Sequence, residues 1–203
     1  MKKALVAVLA LALAAGGVAA ANEKGFTVGA GYGNNSMTFA DSSDKFTYSI
    51  NAIEIGFGGY LQLGNGPIYL MGDLGYAYPL AIDYIADGTT TTFSISDTSY
   101  VMNGLFGIQY TLGAGSPFSF NIGVGPALNA STLNGGNVML LALGAGGKAS
   151  VKYMFSKHIG LALGVREAYY FLPVLAVIGK YDVTKYFSSA NNISGSLAVA
   201  ISF

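Results

Sequence analysis

The 203-residue sequence contains no cysteine, no tryptophan, a single histidine, and only ten acidic and ten basic residues. Without cysteine there is no disulfide framework to staple an exported domain and no thiol for a lipid anchor. One histidine and no thiol leave too few ligands for a zinc-type centre, so neither a metal nor any other cofactor is expected. The same scarcity argues against an enzyme, because a Ser-His-acid site would have to be built around His158, which the pattern below places in a turn. Charged residues make up 10% of the chain and mean hydropathy is +0.50, too apolar for a typical soluble domain. Yet beyond residue 21 no run of about 20 apolar residues is available to cross a membrane as a helix. Removing Lys2 and Lys3 leaves eight basic residues against ten acidic, a balance that offers nothing to nucleic acid. In lipid only helices and closed barrels satisfy every backbone group, so an apolar chain with no spanning helix points to a barrel.

Residues 1–21 have the form of a secretory signal peptide: two lysines, an apolar run from Ala4 to Ala15, then small residues up to Ala21. The expected mature chain, 22–203, is long enough for one small barrel. From Gly25 onward, apolar and small or polar residues alternate in eight segments, at about 25–33, 53–63, 68–78, 99–112, 118–125, 138–155, 159–166 and 193–203. Short turns near 66, 114 and 157 alternate with long connections at 34–47, 79–98, 129–137 and 170–192. Asp87-Gly88 inside the second long connection is a hairpin signal. The predicted fold is all-β, an eight-stranded antiparallel up-and-down transmembrane barrel.

Which face is apolar separates a membrane barrel from a soluble one that lines its cavity with apolar residues. Across the eight predicted segments the apolar row contains no Asp, Glu, Lys or Arg. The opposite row holds Glu54, Asp73, Lys148, Lys152 and Arg166 together with thirteen glycines. One Lys or Arg at the lipid midplane costs about 2–4 kcal/mol, so the clean row is expected to face lipid and the charged row the lumen. Asp73, Lys148 and Arg166 fall at similar depth, with Glu54 slightly higher and Lys152 lower. They are expected to form one ion-pair network that plugs the lumen or gates a narrow pore. The inward glycines remove bulk and favour some permeability.

The last segment carries Leu197, Val199, Ile201 and Phe203 at alternate positions. With the signal peptide and the eight strands, it resembles the small eight-stranded outer-membrane barrels, the group of OmpX-like, OmpW-like and OmpA-type membrane domains. In that group an aromatic last residue with apolar residues two, four and six positions before it is what the barrel-assembly machinery recognises. The resemblance implies an outer-membrane location in a diderm bacterium, with the short turns and both chain ends in the periplasm and the long loops outside. The implied partners are outer-membrane lipid, the assembly machinery during biogenesis, and a surface partner or a small apolar solute. Two functions are consistent with this: a structural or surface-interaction role carried by the extracellular loops, or a narrow OmpW-like channel for small or apolar solutes.

Overall fold

The computed structural model describes residues 23–41, 44–93 and 99–203; the expected signal peptide, 1–21, lies outside them. Ten strands are formed: β1 (Lys24–Ala40), β2 (Lys45–Gln62), β3 (Ile68–Ala86), β4 (Thr89–Phe93), β5 (Tyr100–Leu112), β6 (Phe118–Leu133), β7 (Val138–Met154), β8 (Ile159–Ile178), β9 (Tyr181–Asp182) and β10 (Phe187–Ser202). Eight of them make the barrel in the order β1-β2-β3-β5-β6-β7-β8-β10, every neighbouring pair antiparallel, and β10 pairs with both β8 and β1 to close the sheet. Closure leaves no edge in the wall. The short strands β4 and β9 extend the β3 and β8 hairpins beyond it. Asp87 and Gly88, with φ of 50° and 73°, make the tight turn between β3 and β4, because a two-residue hairpin of this twist needs positive φ at both positions.

The barrel strands run from 13 to 20 residues, against the 9–11 that a tilted strand needs to cross the hydrocarbon. The long connections expected from the sequence are therefore mostly strand: β1 continues to Ala40 and β2 begins at Lys45, while β8 continues to Ile178. The physical reason lies in the side-chain pattern, which reverses partway up. Near the short turns the outward residues are apolar, as with Phe26, Val28 and Tyr32, all exposed, and the inward residues are small or polar. Beyond Gly33 the inward residues of β1 become Asn35, Met37 and Phe39, all buried, while Asn34, Ser36 and Thr38 turn outward. The upper half is thus built like a soluble barrel around its own apolar core of Met37, Phe39, Ile50, Ile82, Leu133 and Leu140. Phe39 stacks on Phe46 at 5.2 Å and meets Phe187 edge-on at 5.9 Å.

The terminal strand behaves as its pattern predicts. Leu197, Val199 and Phe203 are exposed on the outer wall, and Ile201 is half-buried beside them. The Phe203 ring lies 5.8 Å from that of Phe26, and its N–H donates to the Lys24 carbonyl at 2.9 Å, which locks the end of the chain to the start of β1. Just beyond the predicted segments the outer wall acquires a charge. β8 continues in register past Arg166, and this places Glu167 outward and exposed, so the outer row is not free of charge.

Candidate functional site in the barrel lumen

The lumen is filled in strata, each made by inward residues at one height on several strands. At the short-turn end, Glu23 reaches across from the start of β1. Its carboxylate accepts from Tyr69 Oη at 2.9 Å and from Lys152 Nζ at 3.2 Å, and its backbone N–H donates to Gln62 Oε1 at 3.1 Å. Lys152 also stands over the Tyr60 ring, 4.7 Å from its centroid, in cation–π geometry. The Tyr60 hydroxyl in turn shares a short hydrogen bond with Ser202.

Above this floor lies the charged stratum. Arg166 on β8 donates from Nη2 to both oxygens of Glu54, at 2.8 and 2.7 Å, and from Nη1 to Asp73 Oδ1 at 2.8 Å. Lys148 pairs with the other oxygen of Asp73. Four of the five expected charges therefore meet in one chain, Glu54–Arg166–Asp73–Lys148, which ties β2, β3, β7 and β8 together across the lumen. Lys152 does not join it: it is held one layer below by Glu23, a residue the alternation did not single out because it precedes the first strand segment. Among the described residues the lumen holds three cations and three carboxylates, and each is ion-paired.

Next comes an asparagine stratum whose pairing the sequence reading does not anticipate, although it places Asn103 inward. Asn192 accepts from Arg166 Nε at 3.2 Å and donates to Asn35 Oδ1 at 3.1 Å. Asn103 donates to the same Asn35 oxygen at 2.9 Å, while its own oxygen accepts from Asn129 at 2.8 Å and from Tyr170 Oη at 3.0 Å. Buried polar groups are costly unless paired, and each amide of this layer is bonded to a neighbour, with Asn35 Nδ2 the one amide nitrogen among them left without a partner, so together they close the cross-section. The signal was present in the sequence as inward parity: Asn103 falls in the inward row of the predicted segment 99–112, and Asn129 continues the inward parity of Asn121, Gly123 and Gly125 beyond the segment 118–125. Above the amides the apolar core completes the closure. Outside the membrane-crossing segments, burial and the neighbouring Tyr84 raise the pKa of Tyr48 above the ordinary phenol value. On the exposed β9 turn, hydrogen bonds from the Thr184 hydroxyl and backbone lower that of Asp182.

Two small cavities remain. One of about 50 Å³, lined by Thr27, Tyr60, Asp73, Gln109, Lys148 and Lys152 among others, separates the floor from the charged stratum. A second, of about 30 Å³, lies beside Glu54 and Arg166. Both have mixed linings of charged, polar and apolar groups and hold a few waters at most. Some inward glycines border the cavities, Gly58 both of them, Gly29 and Gly56 the smaller and Gly164 the larger, but the room beside Gly75 and Gly58 is largely taken. A Cβ at Gly75 would collide with the Glu54 carboxylate and Arg166, and one at Gly58 would lie 3.1 Å from Asp73 Oδ2. Long side chains occupy the room that these glycines leave.

His158 is exposed in the β7–β8 turn, where its Nδ1 lies 3.0 Å from the Ser202 carbonyl. Among the described residues no group of three or more acidic or histidine side chains is arranged to hold a metal ion.

No family model matches the sequence, and no curated protein is similar to it in sequence. Solved structures are similar to it in fold. Neisserial surface protein A (NspA) aligns at a TM-score of 0.56 with 14% identity over 88% of this chain and 97% of its own. The outer membrane protein OprG from Pseudomonas aeruginosa aligns at 0.52 with 13% identity over 90% of this chain and 96% of its own. The closed wall, the inward charges and these alignments agree, and the chain has the fold of the small eight-stranded outer-membrane β-barrels.

Proposed function

We propose that this is an integral outer-membrane protein whose role is structural or is carried by the part of the barrel that stands outside the membrane, not by passage through the lumen. The observation that carries this reading is the continuous filling of the lumen. Floor, ion pairs, amides and apolar core follow one another, and the cavities of about 50 and 30 Å³ beside the ion pairs are small. Export through residues 1–21 and assembly through the strand that ends at Phe203 complete the proposal. The resemblance to OprG, an outer membrane protein, and to NspA, a surface protein, supports the location.

The outer part offers a concrete contact element. β4 pairs only with the top of β3 among the described strands, and Thr89–Phe93 is exposed along its whole length. A threonine-rich strand of this kind can accept an extended partner segment along its open side. The alternative reading, a narrow channel for small or apolar solutes, draws support from the lumen cavities, but an apolar solute meets charged and amide strata on its way. Uptake of small sugars and of small apolar probes into vesicles that hold the refolded protein is expected to equal that of empty vesicles. Faster uptake of either class would favour the channel.

A further inference from the structure

The outer wall is not equally apolar all round. On β10 the outward row is apolar from Phe203 up to Ile193 and then turns polar at Asn191 and Ser189. β1 and β2 change at the same place, where Asn34 bonds Ser49 and Asn51, Ser36 bonds Asn191, and Thr38 bonds Thr47. At about 2.5 Å of height per residue in a strand tilted by about 40°, the apolar run of β10 is about 25 Å tall, the height of a lipid-facing band.

β8 stands next to β10 and does not change. Glu167 is the register partner of Ile193, and the next outward residue, Tyr169, is the partner of polar Asn191. Above it the wall is loaded with Tyr169, Phe171, Leu172, Val174 and Leu175. Two bulges, where the β7–β8 register shifts, turn extra side chains to the outside. β7 adds Met139, Leu141 and Leu143. The apolar run of β8 is therefore roughly 35 Å tall.

Lipid cannot cover all of it. If the barrel sank on this side until Leu175 met the hydrocarbon, Glu167 would be carried to about the middle of the bilayer, where a carboxylate is disfavoured. With the barrel upright, Glu167 sits at the same boundary as Ile193 and Asn34, and the surface above it stands outside the membrane. That surface is the outer wall of a barrel and is convex, and the cavities of about 50 and 30 Å³ lie in the lumen, away from it.

We propose that the β7–β8 face above Glu167 is a self-association surface on which a second copy of the chain docks, the two copies being related by a twofold axis parallel to the barrel axis. The membrane holds both copies upright at one depth, so this ridge meets the same ridge without any other alignment. The patch carries no charge that would repel its own copy, and Glu167 stays at its foot in the hydrated headgroup layer. Most of its side chains are between 39% and 58% exposed. At about 200 Å² for each large apolar side chain, they offer roughly 700 Å², close to the ~800 Å² per partner of a stable interface. The proposal rests on the membrane reading, and insertion into vesicles, scored by the heat-modifiable band of folded barrel, tests that reading separately.

The absence of cysteine makes the test clean. Leu141→Cys and Ser36→Cys lie at similar height on opposite sides of the barrel. Inserted in phospholipid vesicles and treated with a mild oxidant, Leu141→Cys is expected to give several-fold more disulfide-linked dimer than Ser36→Cys. Adding Phe171→Ser and Leu175→Ser is expected to reduce that yield to the Ser36→Cys level while the folded band persists. Equal cross-linking of the two single variants would overturn the proposal. So would quenching of a Leu141→Trp variant by brominated lipid as strong as that of Val199→Trp in the belt, because lipid would then cover the face.

Discussion

Arg166 engages all three of its guanidinium nitrogens inside the barrel, with Glu54, Asp73 and Asn192, and its side chain is 4% exposed. Removing it leaves Glu54 buried without an ion partner, and breaking such a pair costs about 3–5 kcal/mol. Lys148 shares Asp73 with Arg166, and its side chain is 21% exposed. Arg166→Met is therefore expected to lower the stability of the folded barrel by about 3–5 kcal/mol, and Lys148→Met by clearly less, because Asp73 keeps Arg166. Urea titration of the refolded variants, read by the heat-modifiable band, checks the order. Equal losses would mean that the two cations do not share Asp73 in this way. At this same scale Gly75→Ala tests the packing. Its Cβ would enter the space of Glu54 and Arg166, and overpacking of this kind costs about 1–3 kcal/mol. An unchanged urea midpoint would show that the lumen has slack.

Among the elements, the ends of the strands explain what could and could not be read from the sequence. The lower half was legible because lipid demands an apolar outer row and a small or polar inner one, and eight segments satisfy that rule. The rule stops at the membrane boundary. From Asn34 to Ala40 the alternation continues with its polarity reversed, so residues that build the upper wall of β1 read as a loop, and Asn35, Met37 and Phe39 were missed as lumen residues. Glu167 is hidden for a related reason, since the predicted seventh segment ends at Arg166. Glu54, Asp73, Lys148 and Arg166 were legible as inward charges because parity alone fixes the face. Their pairing was not, because it depends on register across four strands and on Glu23 drawing Lys152 away. Phe39→Ala removes a ring packed on Phe46 and Phe187 and should cost about 3–5 kcal/mol. The loss is expected in the upper half, where protease should cut the variant in the upper parts of β1, β2 or β10 while the lipid-protected strands stay intact. At the other end, deletion of Phe203 removes the ring against Phe26 and the hydrogen bond to Lys24. It should slow insertion in cells several-fold, followed by pulse-chase of the folded band, and insertion at the normal rate would speak against a role for the terminal strand in assembly.

At the scale of the whole molecule, the barrel has a lower half that lipid holds from outside and an upper half that holds itself together from within. The charged and amide strata lie where the two meet and close the lumen between them. Three cations balanced by three carboxylates among the described residues leave no net fixed charge to draw ions of either sign through. The parts of the surface left to act are the exposed β3–β4 hairpin and the apolar β7–β8 face. The measurement that tests this most directly is the conductance of planar bilayers into which the refolded wild-type protein has been inserted. The account predicts current indistinguishable from the bare bilayer across the full range of applied voltage. Discrete, reproducible openings of the wild-type protein would contradict it.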